Sequence, residues 1–133
     1  MDQKHILVID DDESVLETIA RILELEGYGV ETARTGREAL EKSSLDSFDL
    51  AIIDLRLPDM DGTNLLTAMP ETAPRTIKIM LTGYPSPEAR TEAIRKKADG
   101  YLVKPLQIDE LLITVKNHLE KREENTYNAR VTT

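Results

Sequence analysis

The stretch that decides the fold is Asp49-Leu-Ala-Ile-Ile-Asp-Leu-Arg-Leu-Pro-Asp-Met-Asp-Gly62. Residues 50–53 form an unbroken apolar run, which is typical of a short strand buried on both faces of a sheet. The run ends on Asp54, and because an unpaired carboxylate is costly to bury, we expect Asp54 to point outward at the end of the strand. Pro58 fixes φ and Gly62 allows a positive φ, so the next residues are predicted to turn. Ligands of open parallel sheets bind at this end of the strands, which makes Asp54 the residue to build on.

The rest of the chain repeats the alternation of strand and helix on both sides of this stretch. Apolar runs and helical spacing of apolar residues predict strands over 5–10, 28–33, 49–53, 76–82 and 101–103, and helices over 14–26, 36–44, 62–69, 87–98 and 107–122. Strict alternation implies an α/β fold with a doubly wound, five-stranded parallel sheet and five helices on its two faces. Residues 1–122 are predicted to form one domain, and the polar, aperiodic residues 123–133 are expected to be a disordered tail or the remnant of a linker.

Composition excludes several classes of protein. The chain has 133 residues, no cysteine and a formal net charge of −8, so disulfides and thiolate metal sites are excluded. Direct binding of nucleic acid is not expected, because the longest basic run is 95–97 in an acidic chain. No apolar stretch is long enough for a signal peptide or a membrane span, so a cytoplasmic protein without membrane contact is expected.

Chemically active side chains are expected at the ends of the predicted strands. They are Asp10, Asp11, Asp54, Thr82, Tyr101 and Lys104, the last followed by Pro105. Because parallel strands end at one edge of a sheet, we expect these groups to converge. Clustered carboxylates repel one another unless a cation or a proton intervenes, and hard oxygen ligands suit Mg²⁺, with Mn²⁺ as an alternative. A carboxylate beside such an ion can attack phosphorus, while hydroxyl and ammonium groups hold the other phosphoryl oxygens.

Four motifs at these strand ends resemble the receiver domain of two-component response regulators, the CheY-like family. The motifs are Ile-Leu-Val-Ile-Asp-Asp-Asp, Asp-Leu-Arg-Leu-Pro-Asp-Met-Asp-Gly, Met-Leu-Thr-Gly-Tyr and Asp-Gly-Tyr-Leu-Val-Lys-Pro, within residues 4–122. The resemblance implies a flavodoxin-like fold with strand order 2-1-3-4-5. It also implies a signalling phosphoacceptor, not an enzyme, which catalyses only its own phosphorylation and dephosphorylation.

The resemblance assigns a role to each matching residue. Asp54 is expected to be the phosphoacceptor, and Thr82 and Lys104 to bind the phosphoryl oxygens. Mg²⁺ is expected to be held by four groups: Asp10, Asp11, Asp54 and the backbone carbonyl of Arg56. Tyr101 is expected to be the aromatic switch partner of Thr82, and the Lys104–Pro105 peptide bond is expected to be cis.

The same resemblance implies partners. A sensor histidine kinase would donate the phosphoryl group, and phosphorylation would switch a surface formed by helix 87–98, strand 101–103 and helix 107–122. No output segment is recognised after residue 122, so that surface would serve an unknown downstream partner, an output domain absent from this chain, or a homodimer.

Two other functions fit parts of the pattern. The Asp-x-Asp of residues 10–12 would suit a haloacid-dehalogenase-like phosphatase with Asp10 as nucleophile and Asp12 as acid and base, although the chain offers no cap and lacks the third acidic motif. A receiver-like domain that binds partners without phosphorylation is the other, and the intact acidic pair argues against it.

Asp12 alone is interpreted as the entry to a helix, and Asp59 and Asp61 as turn formers. The resemblance also implies that Arg56 and Tyr84 flank the approach of water to the phosphorylated Asp54. Because both side chains are large, a slowly decaying phosphorylated state is predicted in the absence of a partner phosphatase.

Overall fold

The structure, a computed structural model, describes residues 3–72, 75–83 and 85–132 and has five strands alternating with five helices. The strands are β1 (His5–Ile9), β2 (Gly29–Ala33), β3 (Leu50–Asp54), β4 (Ile77–Thr82) and β5 (Gly100–Val103). The helices are α1 (Glu13–Leu25), α2 (Gly36–Leu45), α3 (Gly62–Ala68), α4 (Pro87–Arg95) and α5 (Ile108–Thr132).

All four strand pairings are parallel, and the sheet order is β2-β1-β3-β4-β5. The predicted α/β fold, doubly wound with order 2-1-3-4-5, is therefore confirmed. Every strand ends at the same edge, called here the carboxyl edge, and begins at the opposite amino edge. The strand order reverses between β1 and β3, which is where open sheets of this kind form their ligand crevice.

The apolar runs of the central strands supply two cores, one on each face of the sheet. Alternate residues such as Ile6, Val8 and Ile52 pack with α1 and α5, whereas Leu7 and Ile53 pack with α2, α3 and α4. Side chains of a strand alternate between faces, so a strand covered on both faces must be apolar at every position. Such strands hold their ends rigidly, which fixes the positions of the residues that follow them.

Two glycines take different parts in these connections. Gly27 follows α1 with a φ of +98°, as expected of a glycine that ends a helix. Gly62 does not adopt a positive φ, contrary to the expectation from the turn sequence. A Cβ at Gly62 would instead collide with the backbone carbonyl oxygen of Asp54. Gly62 is therefore needed because α3 begins in direct contact with the end of β3.

Helix α4 ends at Arg95, three residues before the predicted end at 98. Lys97 takes a left-handed φ of +70°, and the backbone N–H of Ala98 bonds to the carbonyl of Ala93 at 2.9 Å. This is a helix ending that usually carries glycine, so the sequence offered no signal for it.

Helix α5 continues through Thr132, where the sequence analysis predicted a helix ending at 122 and a disordered tail over 123–133. The prediction used apolar spacing, which stops at Leu119, whereas the following residues are mostly Glu, Lys, Arg and Asn. A tertiary contact holds the start of the extension, since Glu123 pairs with Lys4 at 2.7 Å. The residue before it, Arg122, is buried against Asp49. Thr133 lies outside the described residues.

Within the described part of the chain, no helix is both long and apolar enough to cross a membrane.

Candidate functional site

The first acidic group of the site follows β1. Asp10 is fully buried, and its Oδ1 accepts a hydrogen bond of 2.9 Å from the backbone N–H of Asp12. Asp11 is exposed beside it. The Asp12 carboxylate turns away to cap α1, where it accepts the backbone N–H groups of Ser14 and Val15. Asp12 is thus the helix entry that the sequence indicated.

Asp54 is the last residue of β3 and is 7 % exposed. Its Oδ1 accepts a long hydrogen bond of 3.3 Å from the backbone N–H of Arg56. Because β3 lies beside β1 in the sheet, Asp54 faces Asp10 and Asp11. One carboxylate oxygen from each of these three residues can be chosen so that all lie within 4.8 Å of one another.

Lys104 reaches this cluster from the residue after β5. Its Nζ lies 2.8 Å from Asp10 Oδ2 and 3.6 Å from Asp54 Oδ2. Within the described part of the chain Asp10 Oδ2 accepts no hydrogen bond of acceptable geometry, so the 2.8 Å contact is an ion pair. One ammonium therefore faces two buried carboxylates, with the exposed Asp11 beside them, and negative charge is in excess.

The excess of negative charge appears in the proton affinities. Burial, followed by repulsion from Asp10, raises the pKa of Asp54 from 3.8 to about 6, against the opposing effects of the Arg56 N–H and Lys104. Burial alone would lower the pKa of Lys104, but contact with Asp10 and the charge of Asp54 outweigh it and raise the pKa. Both shifts mean that added positive charge would be favourable here.

The loop between β3 and α3 closes the site from one side. The backbone N–H of Leu57 bonds to the carbonyl of Met60 at 3.2 Å, and Arg56 and Asp61 form an isolated antiparallel β-bridge. The backbone N–H of Gly62 bonds to the carbonyl of Leu55 at 2.7 Å. These bonds make a compact turn directly behind Asp54.

The remaining predicted residues lie on β4 and β5. Thr82 is 1 % exposed at the end of β4, and its carbonyl accepts the backbone N–H of Lys104 at 2.7 Å. Tyr101 packs against the core on the side of α3 and α4, and its hydroxyl is buried without a hydrogen-bond partner in the part of the chain described. The Lys104–Pro105 peptide bond is cis.

The carboxyl edge thus brings together Asp10, Asp11, Asp54 and Lys104, with Thr82 at the end of the neighbouring β4. Tyr101, which the sequence analysis expected at a strand end on this edge, is instead the second residue of β5 and lies inside that strand. Tyr84 lies outside the described residues. The histidines do not join the site: His5 is exposed, and the ring nitrogens of His118 lie 2.8 and 3.1 Å from the backbone carbonyls of Thr114 and Asp99.

The chain is similar to known proteins of one family. A family model described as the response regulator receiver domain matches residues 6–116. The chain belongs to this receiver family. Members are signalling phosphoacceptors of two-component systems, and an acidic pocket that binds Mg²⁺ is a property of the family.

Individual relatives agree with the assignment. The transcriptional regulatory protein ZraR of Escherichia coli (strain K12) is 37 % identical over 118 residues, which are 89 % of this chain and 27 % of ZraR. The chain thus spans about a quarter of that relative's length. A CheY-like receiver domain protein from Methanospirillum hungatei JF-1 is 41 % identical with a TM-score of 0.88, covering 93 % of this chain and 99 % of that one.

A third similar structure is a response regulator protein from Burkholderia pseudomallei, which was crystallised with a phosphorylated aspartic acid, a calcium ion and citrate. It is 31 % identical with a TM-score of 0.80, covering 93 % of this chain and 73 % of that chain.

Proposed function

We propose that this receiver accepts a phosphoryl group on Asp54 from the phosphohistidine of a sensor histidine kinase. The observation that carries the proposal is the cluster of three carboxylates, Asp10, Asp11 and Asp54, whose oxygens lie within 4.8 Å of one another. In the transfer, an Asp54 carboxylate oxygen forms a bond to phosphorus, and the bond from phosphorus to the histidine nitrogen breaks. The nitrogen leaves with the bonding electron pair, and Asp54 becomes an acyl phosphate.

The donor set fits Mg²⁺, with Mn²⁺ as an alternative. Asp10, Asp11, Asp54 and the backbone carbonyl of Arg56 would supply hard oxygen ligands, which are those that Mg²⁺ prefers. The raised pKa of Asp54 supports this assignment, because a cluster short of positive charge gains from a divalent cation. When bound, the ion supplies charge neutralisation at the phosphoryl oxygens.

Lys104 and Thr82 are proposed to hold the phosphoryl oxygens that the ion does not. Lys104 already reaches both buried carboxylates, so a small movement would carry its ammonium to a group on Asp54. Thr82 ends the strand next to β3, with its neighbour Leu81 in register with Asp54. Its hydroxyl can therefore donate to an oxygen of the new phosphoryl group.

The switch is proposed to run from Thr82 to Tyr101 and then to the surface of helix 87–98, strand 101–103 and helix 107–122. Among the described residues the buried hydroxyl of Tyr101 has no hydrogen-bond partner, which supports this, because such a group gains a hydrogen bond if a rearrangement brings it to a partner. Large apolar side chains are exposed on these elements, namely Ile94, Val103, Ile108 and Ile113. We propose that this surface receives an output domain, a separate partner or a second copy of the chain.

The phosphatase alternative is less well supported. Its acid and base would be Asp12, whose carboxylate is engaged as the cap of α1. Its nucleophile would be Asp10, which is fully buried and paired with Lys104. The reading as a partner-binding domain without phosphorylation leaves the carboxylate cluster without a purpose.

The test is intact-mass spectrometry after incubation with acetyl phosphate and Mg²⁺. The wild-type chain is expected to gain one phosphoryl group, and Asp54→Asn to gain none. Omitting Mg²⁺ or adding a chelator is expected to abolish the adduct. An adduct that survives Asp54→Asn but disappears in Asp10→Asn would favour the phosphatase instead.

A further inference from the structure

Asp59 joins the loop behind Asp54 to a helix that is distant in the chain. Its Oδ1 accepts the backbone N–H of Gly36 at 2.9 Å, and its Oδ2 accepts that of Arg37, also at 2.9 Å. These two bonds lower the pKa of the exposed Asp59 carboxyl below its ordinary value, which keeps it ionised. The N-terminus of α2 is favourable for such a charge, because its first N–H groups have no partner within the helix.

The neighbouring side chain makes a second contact between the same two segments. Met60 packs directly on Gly36, where a Cβ would collide with the Met60 sulfur. Met60 also packs against the apolar core on this face of the sheet. The tip of the loop is thus held to the start of α2 by two charge-assisted hydrogen bonds and by close packing.

The loop that Asp59 fastens is the one that carries Arg56. The backbone N–H of Arg56 donates to Asp54, and its backbone carbonyl is the proposed ligand of Mg²⁺. Arg56 is also paired with Asp61 across the turn, so that movement of the tip displaces both strands of the turn together. The positions of the Arg56 N–H and carbonyl would therefore depend on the hydrogen bonds of Asp59, three residues further along the chain.

We propose that Asp59 is a positioning residue for the phosphorylation site, which acts by holding the Arg56 carbonyl and N–H in place through α2. The proposal rests on the function proposed above. It gives Asp59 a role that its sequence context, a turn between proline and glycine, did not indicate. It also makes the start of α2 part of the support of the metal site.

The chain offers a matched control at the same helix end. Thr35 also caps α2, since its Oγ1 accepts the backbone N–H of Glu38 at 3.0 Å, but Thr35 belongs to the segment before α2 and not to the Arg56 loop. Removing either cap weakens α2. Only removal of Asp59 releases the loop.

The experiment compares Asp59→Ala, Asp59→Asn and Thr35→Ala with the wild type. The Mg²⁺ dissociation constant is measured by calorimetric titration, and the rate of phosphorylation by acetyl phosphate is measured at low and at saturating Mg²⁺. Urea midpoints in chelator report helix stability separately.

Asp59→Ala is expected to weaken Mg²⁺ binding about tenfold, because it removes hydrogen bonds that hold a metal ligand in position. Saturating Mg²⁺ should restore most of the rate of phosphorylation. Asp59→Asn, whose amide oxygen still accepts one N–H, should fall between Asp59→Ala and the wild type. Thr35→Ala should lower the urea midpoint but weaken Mg²⁺ binding much less than Asp59→Ala does, because Asp59 still holds the loop.

An Mg²⁺ dissociation constant that is unchanged in Asp59→Ala overturns the inference. Equal weakening of Mg²⁺ binding in Thr35→Ala also overturns it, because the effect would then come from the stability of α2 alone. A wild-type chain that takes up no phosphoryl group overturns the proposed function and this inference with it.

Discussion

At the amino edge of the sheet, the buried guanidinium of Arg122 meets the carboxylate of Asp49, whereas at the carboxyl edge the buried carboxylates of Asp10 and Asp54 face one another. The guanidinium of Arg122 is 8 % exposed and bonds to Asp49 Oδ1 at 2.8 Å and to the carbonyls of Asp49 and Arg75. Nearby, Arg75 holds Asp99 through two hydrogen bonds of 2.7 and 2.9 Å. At the other edge, Lys104 is the single described cation in contact with Asp10 and Asp54.

The proton affinities of two aspartates express the same contrast. Burial alone would raise the pKa of Asp49, but hydrogen bonds from Arg122 and the backbone of His5 outweigh it and lower the pKa. Burial and Asp10 together raise the pKa of Asp54 to about 6. The comparison teaches that burial of a charge does not identify a functional site. Buried carboxylates that face one another point to such a site, because folding then retains a repulsion that ligand binding can relieve.

The largest expected effect is at the amino edge. Arg122→Met should lower the free energy of unfolding by about 3 kcal/mol, because it leaves Asp49 and two backbone carbonyls without their partner. Urea unfolding measures the loss. Lys121→Met, at the exposed neighbouring position of the same helix, is the control and should change stability by less than about 0.5 kcal/mol. Equal, small losses in both variants would mean that the Arg122 network does not stabilise the fold.

The opposite sign is expected at the carboxyl edge. Asp54→Asn should raise the free energy of unfolding of the metal-free protein by about 1 kcal/mol, because it removes the repulsion with Asp10. Mg²⁺ should stabilise the wild type through binding to the native state, and stabilise the variant less. Urea midpoints in chelator and in Mg²⁺ measure both effects.

Glu17→Gln is the control for net charge, since Glu17 is exposed on α1 and outside the cluster. If Glu17→Gln stabilises the metal-free chain as much as Asp54→Asn, the gain comes from the overall charge of −8 and not from the site.

The two edges should also respond to pH in opposite directions. Between an unfolded value of 3.8 and its folded pKa of about 6, Asp54 binds a proton in the native state that the unfolded chain has lost. Its contribution should therefore make the metal-free protein more stable as the pH falls from 7 to about 5. Asp49 has a lowered pKa, so the stability that it contributes is present above 3.8 and is lost as the pH falls further.

Urea midpoints of the wild type and Asp54→Asn are measured across this pH range. The difference between the two proteins gives the contribution of Asp54, and the loss at low pH that they share gives that of Asp49. The wild type should gain on the variant between pH 7 and 5, and saturating Mg²⁺ should remove the gain. A difference between the two proteins that does not change with pH would argue against a raised pKa at Asp54.

The smallest effect concerns the end of α4, at the amino edge. Lys97 holds a left-handed φ of +70° that glycine adopts without strain, as Gly27 does after α1. Lys97→Gly should therefore stabilise the fold by about 0.5 kcal/mol, although glycine loses more chain entropy on folding. Thermal and urea unfolding measure it, with Lys97→Ala as the control for loss of the ammonium. Stabilisation by Ala equal to that by Gly would assign the effect to charge.

Most of the fold and of the carboxyl edge followed from local patterns. The apolar runs of β1, β3 and β4 predicted buried parallel strands, because only a strand covered on both faces is apolar throughout. Once the strands are parallel, their ends must share an edge, so Asp10, Asp54 and Lys104 converge without further information. That is why the resemblance of four short motifs agreed with the geometry.

Other features depended on contacts between residues that no local pattern relates. Arg122 and Asp49 are 73 residues apart, and Asp59 and Gly36 are 23 residues apart. The continuation of α5 past residue 122 and the hydrogen bonds of Asp59 to the start of α2 were accordingly missed. A polar residue in a turn or in a polar helix has the same sequence signature whether its side chain meets water or a distant backbone group. Only the tertiary structure decides which, because the partner is brought there by the packing of other elements.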